Sequence, residues 1–177
     1  MNSTKILNFW FSKDNSTKWF TKSKDFDSLI INKFLAIYNK AANGDLDDWK
    51  QEPEGMLALI IILDQFPRNM FRDSAKSFAG DAKALSYAKE AIAKEIDKKL
   101  LLQQRRFIYM PFMHSENLED QNISVQLFAA DETSYKYAVR HREIIQKFGR
   151  FPHRNNLLGR ESTKEEVDFL KTPNSTF

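Results

Sequence analysis

LALIIILDQFPRN, residues 57–69, is the stretch whose reading decides the fold. With Met56 it opens with eight consecutive apolar residues, Met56 to Leu63, far fewer than the roughly twenty that a membrane-spanning helix needs. A helix apolar on nearly every side belongs at the centre of a domain with neighbours packed all round it. Pro53 opens this helix at a position where a missing N–H does no harm, and the helix is expected to run to about Phe66. It ends in an acid, an amide, a proline and an arginine. Asp64 continues the face of Leu57, Ile60 and Ile61, so the helix carries a carboxylate at its own buried end, and a buried carboxylate needs a partner. Arg68 stands four residues on, past the proline expected to stop the helix. Its planar fork can return to Asp64 in two parallel hydrogen bonds. The alternative is a structural clamp of a cation on a helix C-terminus.

Outward from this helix the apolar spacing stays helical. In DFDSLIINKFLAIYNKAANG, from Asp25, residues Phe26, Ile30, Phe34, Ile37 and Ala41 recur at three and four residues, and Gly44 closes the helix. Asp81 begins another, with Ala84, Ala88, Ala91 and Ile92 on one face. Further helices are expected from about Lys98 to Tyr109, where Pro111 breaks the pattern, and from Asn117 to Ala130. Two more are expected from Ser134 to Phe148 and from Ser162 to Leu170, the last opened by a capping box of Ser162 and Glu165. No stretch alternates as a strand would, and no Asn-Gly or Asp-Gly pair marks a hairpin. The class is all-α, with about seven helices in a single domain over residues 1–177.

The bulk numbers bound the function. The chain has 177 residues, 42% hydrophobic and 13% aromatic, enough for one domain with a sizeable core. Its net charge is only +3, so composition gives no sign of nucleic-acid binding. There is no cysteine, which excludes disulfides, thiol nucleophiles and thiolate metal sites and fits a reducing compartment. The N-terminal MNSTKILNFWF lacks the cleavage site of a signal peptide. A cytoplasmic protein that engages no membrane is expected.

Arginine usage points to where polar chemistry gathers. Of 18 Lys and 9 Arg, only Arg68 and Arg72 among the arginines precede residue 100; the others fall at 105–106 and between 140 and 160. Guanidinium offers a bidentate geometry and a weaker hydration that ammonium lacks. RFPHRN at 150–155 repeats the Phe-Pro-basic-Asn order of QFPRN at 65–69, and its loop, with free backbone donors beside Gly149 and Pro152, suits a carboxylate or phosphate. The competing reading has Arg150, Arg154 and Arg160 capping helix ends and binding neighbouring acidic faces.

The three histidines fall in the same part of the chain. His114 lies in YMPFMHSENLEDQ, followed by Glu116, Asp120 and Gln121, a set suited to general acid-base work or merely to opposing a helix dipole. His141 lies on the stripe Tyr137, His141, Ile144, Phe148 and faces the core. His153 sits beside Arg154 in the loop, where cations disfavour a metal and favour an anion. No spacing matches a zinc or di-metal signature, a phosphate-binding loop, a nucleophile elbow or a dinucleotide fingerprint. No cofactor is implied.

ILNFWF at 6–11, LALIIILDQFPRNMFR at 57–72, FIYMPFMHSENLEDQ at 107–121 and HREIIQKFGRFPHRNNLLGREST at 141–163 together resemble the bacterial domain-of-unknown-function family numbered nine hundred and twenty-four, over essentially the whole chain. The ending EEVDFLKTPNSTF is similar as well. The resemblance implies an array of antiparallel helix pairs like that of tetratricopeptide proteins. It also marks Asp64, Gln65, Arg68, Asn69, His114, Ser115, Glu116, Gln121, His141, Gly149, Arg150, Pro152, His153, Arg154, Asn155, Gly159 and Arg160 as recurrent motif positions. The chain departs from the family's pattern at Asp73-Ser74, where Gly-Thr is expected, and at Ile96, where a glycine is.

Three readings follow. In the first, a helical binding protein gathers Asp64, Arg68, Asn69, Gln121, His141, Arg150, Arg154, Asn155 and Arg160, with His114, Glu116 and His153, around a small anionic ligand or an acidic peptide. In the second, an enzyme uses His114 or His153 as acid-base with Glu116 as partner on a phosphate- or carboxylate-bearing substrate. In the third, the polar residues fix one packing and bind nothing. Oligomeric state stays open.

Overall fold

The computed structural model describes residues 2–173 and 175–176. Among these residues there is no strand, and the fold is all-α. The seven expected helices are present, and two N-terminal ones, α1 (Ser3–Trp10) and the short α2 (Lys13–Ser16), add to them. The chain forms two compact units, Met1–Arg72 with Lys76–Pro111, and Asp73–Ala75 with Phe112–Phe177.

In the first unit, α1 is capped by the Asn2 side chain, which accepts from the Lys5 amide at 3.2 Å. The longest helix, α3 (Lys24–Asn43), buries the stripe Phe26, Ile30, Phe34, Ile37 and Ala41 and ends on Gly44 at φ 92°, a left-handed turn that glycine adopts without cost. Behind it, α4 (Pro53–Ile60) runs through a π-helical turn, Ile61–Gln65, into α5 (Phe66–Met70). Every residue from Met56 to Leu63 is fully buried, so this is the central helix that the sequence implied. Each such Leu or Ile contributes about 1.5–3 kcal/mol of burial. Aromatic rings surround it: Phe66 lies 4.9 Å from Phe34 and 5.5 Å from Trp10, and Trp10 lies 5.7 Å from Phe107. Next come α6 (Asp81–Ala93), with Ala84, Ala88 and Ala91 buried, and α7 (Leu102–His114), within which the chain passes into the second unit.

Two expectations about prolines are corrected. Pro67 does not stop the helix, which continues to Met70. In an unbroken helix the amide of residue 67 would bond to the Leu63 carbonyl; Pro67 has no N–H, and Gly80 lies against that oxygen instead, so close that a Cβ there would stand 2.1 Å from it. Likewise Pro111 lies inside α7, which reaches His114, because the buried Phe107, Ile108, Met110, Phe112 and Met113 hold the helix through the break.

In the second unit, α8 (Leu118–Leu127) is capped by Asn117, which accepts from the Glu119 and Asp120 amides, and packs along α9 (Glu132–Phe148) after a short connection. Gly149, at φ 68°, ends α9. A 3₁₀ turn, Pro152–Arg154, and α10 (Lys164–Leu170) follow, around a small core of Ile144, Ile145 and Phe151. The capping box of α10 is Thr163 with Glu166, one residue beyond the expected pair, which leaves the Glu166 carboxylate buried rather than solvated. Tyr137 also departs from its expected place: it is 57% exposed, and the buried face of α9 runs through Ala138, His141, Ile144 and Ile145.

Candidate functional site

The residues singled out from sequence divide by unit. In the first unit, Asp64 is fully buried within the π-helical turn, and the Gln65 side-chain amide donates to it and to the Met110 sulfur at 3.4 Å. Arg68 donates from Nη1 to the Asp64 backbone oxygen and stands 3.4 Å from its carboxylate. The two parallel bonds, however, go to Asp81, at 3.0 and 3.1 Å. The expected fork on Asp64 is thus made on another carboxylate, from the start of α6. Asn69 donates to Asp27 at 2.8 Å, and Arg72 clamps the same carboxylate with two bonds of 2.7 Å. Burial alone would raise the Asp27 pKa, but these three donor bonds hold it below the ordinary carboxylate value.

In the second unit His141, His153 and Arg154 meet around the Phe151 ring, with His114 beside His141. The His141 ring is 6.4 Å from His114 and 5.5 Å from Phe151, and His153 is 5.7 Å from Phe151 on centroid distances. The guanidinium of the buried Arg154 lies 4.6 Å from the centroid of the Phe151 ring and donates to the His114 carbonyl oxygen at 3.1 Å. The Gln121 side chain, fully buried, donates to the Met113 and Ser115 carbonyls at 2.7 and 2.6 Å, fixing the backbone on both sides of His114. Ser115 in turn donates to Asp120 at 2.7 Å.

Two ion pairs frame this cluster. Arg160 holds Glu116 by bonds of 2.6 and 2.9 Å, and the Phe151 amide donates to the same carboxylate at 2.8 Å. Burial pushes the Glu116 pKa up, yet these bonds outweigh it and leave the group below its ordinary value. Arg150 holds Glu166 at 2.7 and 2.8 Å and also donates to the Glu161 carbonyl. The Arg150 bond first, against the cost of burial, brings Glu166 down to about 2. Asn155, fully buried, donates to Ser162 at 3.0 Å. Among the described residues no three His, Cys, Asp or Glu side chains stand where they would hold a metal ion.

His141 is the most perturbed of these groups. Burial first, then the neighbouring His114, Arg154 and His153, push its pKa down to about 3, against the opposing bond to the Tyr137 carbonyl. The sequence-based reading missed Phe151 as the ring on which the cluster is centred, and it missed Asp27, Asp81 and Glu166 as arginine partners. Phe151 was legible as the Phe of the repeated Phe-Pro-basic-Asn pattern; Glu166 was legible as the third residue of a capping box shifted by one. For Asp27 and Asp81, at the starts of α3 and α6, a helix-dipole role hid the pairing.

No curated protein matches this chain. It is similar to a solved structure described as a protein of unknown function, ATU0120, from Agrobacterium tumefaciens, at 39% identity and a TM-score of 0.92, covering 96% of each chain. The family model described as a bacterial protein of unknown function, DUF924, matches residues 6–174, and no described helix is long and apolar enough to cross a membrane. With the motifs around Asp64, His114 and His153 lying inside the matched span, the chain belongs to the bacterial DUF924 family.

Proposed function

We propose that the protein is a helical binding protein whose second unit receives a small anion, or the acidic end of a peptide, at His114, His141, His153 and Arg154. The observation that carries this reading is the gathering of three imidazoles and a buried guanidinium from three separate segments of the unit, with His141, His153 and Arg154 against the Phe151 ring and His114 against His141. Imidazole and guanidinium N–H groups in a water-poor setting favour a carboxylate or phosphate oxygen. Arg150 and Arg160, each taken by a carboxylate in two bonds, act on this reading as the frame, with Gln121 and Asn155 shaping the backbone. Asp64, Arg68 and Asn69 are read as the support that orders α4, α5 and α6 in their own unit. A tetratricopeptide-like array of helix pairs, working in the reducing cytoplasm that a cysteine-free chain fits, is a common scaffold for such recognition.

The enzyme reading keeps His114 and His153 as acid-base candidates but gains little from Glu116. Both oxygens of that carboxylate are bonded to donors and its pKa is lowered, so it serves better as an anchor for Arg160 than as a proton acceptor.

Thermal-shift titration with phosphate, dicarboxylates and acidic peptides tests the proposal. A ligand at about a hundred times its Kd stabilises by about 2.7 kcal/mol, and for a chain of this size each kcal/mol moves the Tm by about 2–4 °C. His114→Ala and Arg154→Ala are expected to abolish that stabilisation; His114→Ala leaves the unliganded Tm nearly unchanged, while Arg154→Ala lowers it by about 2–6 °C through the lost bond to the His114 carbonyl and the lost contact with Phe151. A fall of several degrees in both variants without any ligand response would instead assign the cluster to packing.

A further inference from the structure

The three large apolar side chains most exposed among the described residues are Leu101, Phe20 and Leu102, at 72%, 70% and 68%, and all three lie in the first unit. Each sits in a run of cations. Residues 15–24 read NSTKWFTKSK and residues 98–107 read KKLLLQQRRF, and neither run holds an acid. The two runs border one ring: Trp19 packs 4.8 Å from Phe107 on centroids, and Leu102 opens α7 about 8 Å of helix axis before that phenylalanine. Both runs are tied down. Trp19 packs 5.8 Å from Trp10 and 5.5 Å from Phe11 and donates from Nε1 to the Trp10 carbonyl at 2.9 Å, while Phe20, next in the chain, stays in solvent. Arg105 donates to the Lys98 and Leu100 carbonyls at 3.2 and 3.0 Å, and the Leu101 amide donates to the Gln104 side chain at 3.0 Å. These bonds fix the backbone that presents the two leucines.

Lys22, Lys24 and Lys99 are exposed and pair with no carboxylate among the described residues; Lys98 pairs with Glu95, and Asp14 and Asp25 stand just outside the first run. We propose that this face docks on an anionic lipid surface, with Phe20, Leu101 and Leu102 entering the boundary of the acyl chains and the lysines meeting headgroup phosphates. A second copy of the chain would set these cations against one another. Protein interfaces are rich in Tyr, Trp and Arg and poor in Lys, whereas lysines around a few protruding apolar side chains suit an anionic bilayer. No described helix is long and apolar enough to cross a membrane, and docking on one leaflet needs no span. The sequence-based expectation of no membrane rested on the lack of a spanning stretch. The histidine cluster lies in the other unit, so neither proposal depends on the other.

Flotation of the protein with vesicles of phosphatidylcholine alone, and with vesicles of equimolar phosphatidylcholine and phosphatidylglycerol, tests this at low and high salt. Expected is binding to the anionic vesicles only, weakened by salt. Phe20→Ser and the double variant L101S/L102S should each bind about tenfold more weakly or worse, and K22Q and K99Q about fivefold more weakly each. All these positions are exposed, so the Tm of every variant should stay within about 2 °C of the native value. No flotation with anionic vesicles at low salt overturns the proposal and leaves the face to a protein partner. Binding that F20S and L101S/L102S both leave unchanged overturns it as well, since charge alone would then hold the protein. A loss confined to one of the two runs overturns the shared face. Self-association in sedimentation that F20S abolishes, without any vesicle binding, assigns the face to a second copy instead.

Discussion

At neutral pH the imidazole of His141 carries no charge, and that makes it a reporter of stability. Its ordinary pKa is 6.5 and its value in the folded chain is about 3, lowered by burial and then by His114, Arg154 and His153. As the pH falls below 6.5 the unfolded chain takes up the proton first, so the folded state loses stability between 6.5 and 3 and has its full contribution above 6.5. At pH 4 the loss from this one group reaches up to about 3 kcal/mol. Urea denaturation of H141Q and the native protein at pH 7 and pH 4 checks it: the variant should lose less stability on acidification, and an equal loss in both would refute the assignment. Two other single residues carry backbone strain. Asp73 and Glu95 adopt φ of 60° and 54°, a region in which a side chain costs about 1–2 kcal/mol that glycine does not incur. The family resemblance led to a glycine at 73 and another at 96; the left-handed residues are 73 and, one position earlier, 95. Asp73→Gly and Glu95→Gly are each expected to raise the Tm by about 2–4 °C, whereas Ile96→Gly should lower it, since Ile96 is buried and has ordinary helical geometry.

Among the elements, the central helix was the most legible, because eight apolar residues in a row admit no exposed face. What periodicity hid was how closely other backbone approaches it. A Cβ at Gly55 would stand 2.0 Å from the Trp49 carbonyl oxygen, and one at Gly80 would stand 2.1 Å from that of Leu63. Both obstructions are backbone, so no rotamer change relieves them. Gly55→Ala and Gly80→Ala should each cost about 3 kcal/mol or more, a fall of about 6–12 °C in Tm, despite the better helix propensity of alanine. Unchanged melting in either variant would mean that the 3₁₀ turn Asp47–Gln51 or the π-helical turn gives way more easily than packed backbone should. The prolines show the complementary limit. Pro67 and Pro111 read locally as helix ends, and both lie within continuous helical chain, because buried neighbours on either side outweigh a single lost hydrogen bond.

Over the whole molecule, the two-bond grips on carboxylates are made by arginine. Arg68, Arg72, Arg150 and Arg160 each grip one carboxylate with two bonds, on Asp81, Asp27, Glu166 and Glu116, all between 2.6 and 3.1 Å. Lys94, Lys98, Lys136 and Lys171 instead pair with a carboxylate three or four residues away at the surface. The scarcity of arginine in a lysine-rich chain was therefore a usable signal for where planar, two-point pairing is needed, although the carboxylate on the other side was assigned from spacing and came out as a different residue for Arg68. Sequence neighbours are easy to nominate as partners, and a fold brings carboxylates from afar that no local pattern marks. Exchanging the cations separates the two groups. R68K, R72K and R160K keep the charge and lose one of two bonds in a partly buried pair, so each exchange should cost about 1–3 kcal/mol in urea denaturation, and R150K should lower stability in the same direction. K94R, K136R and K171R should stay within about 0.5 kcal/mol of the native chain. If the four arginine positions tolerate lysine equally well, charge alone holds these carboxylates. The frame that Arg150 and Arg160 give the histidine cluster would then be electrostatic rather than geometric, and R150K and R160K would leave the stabilisation by phosphate intact.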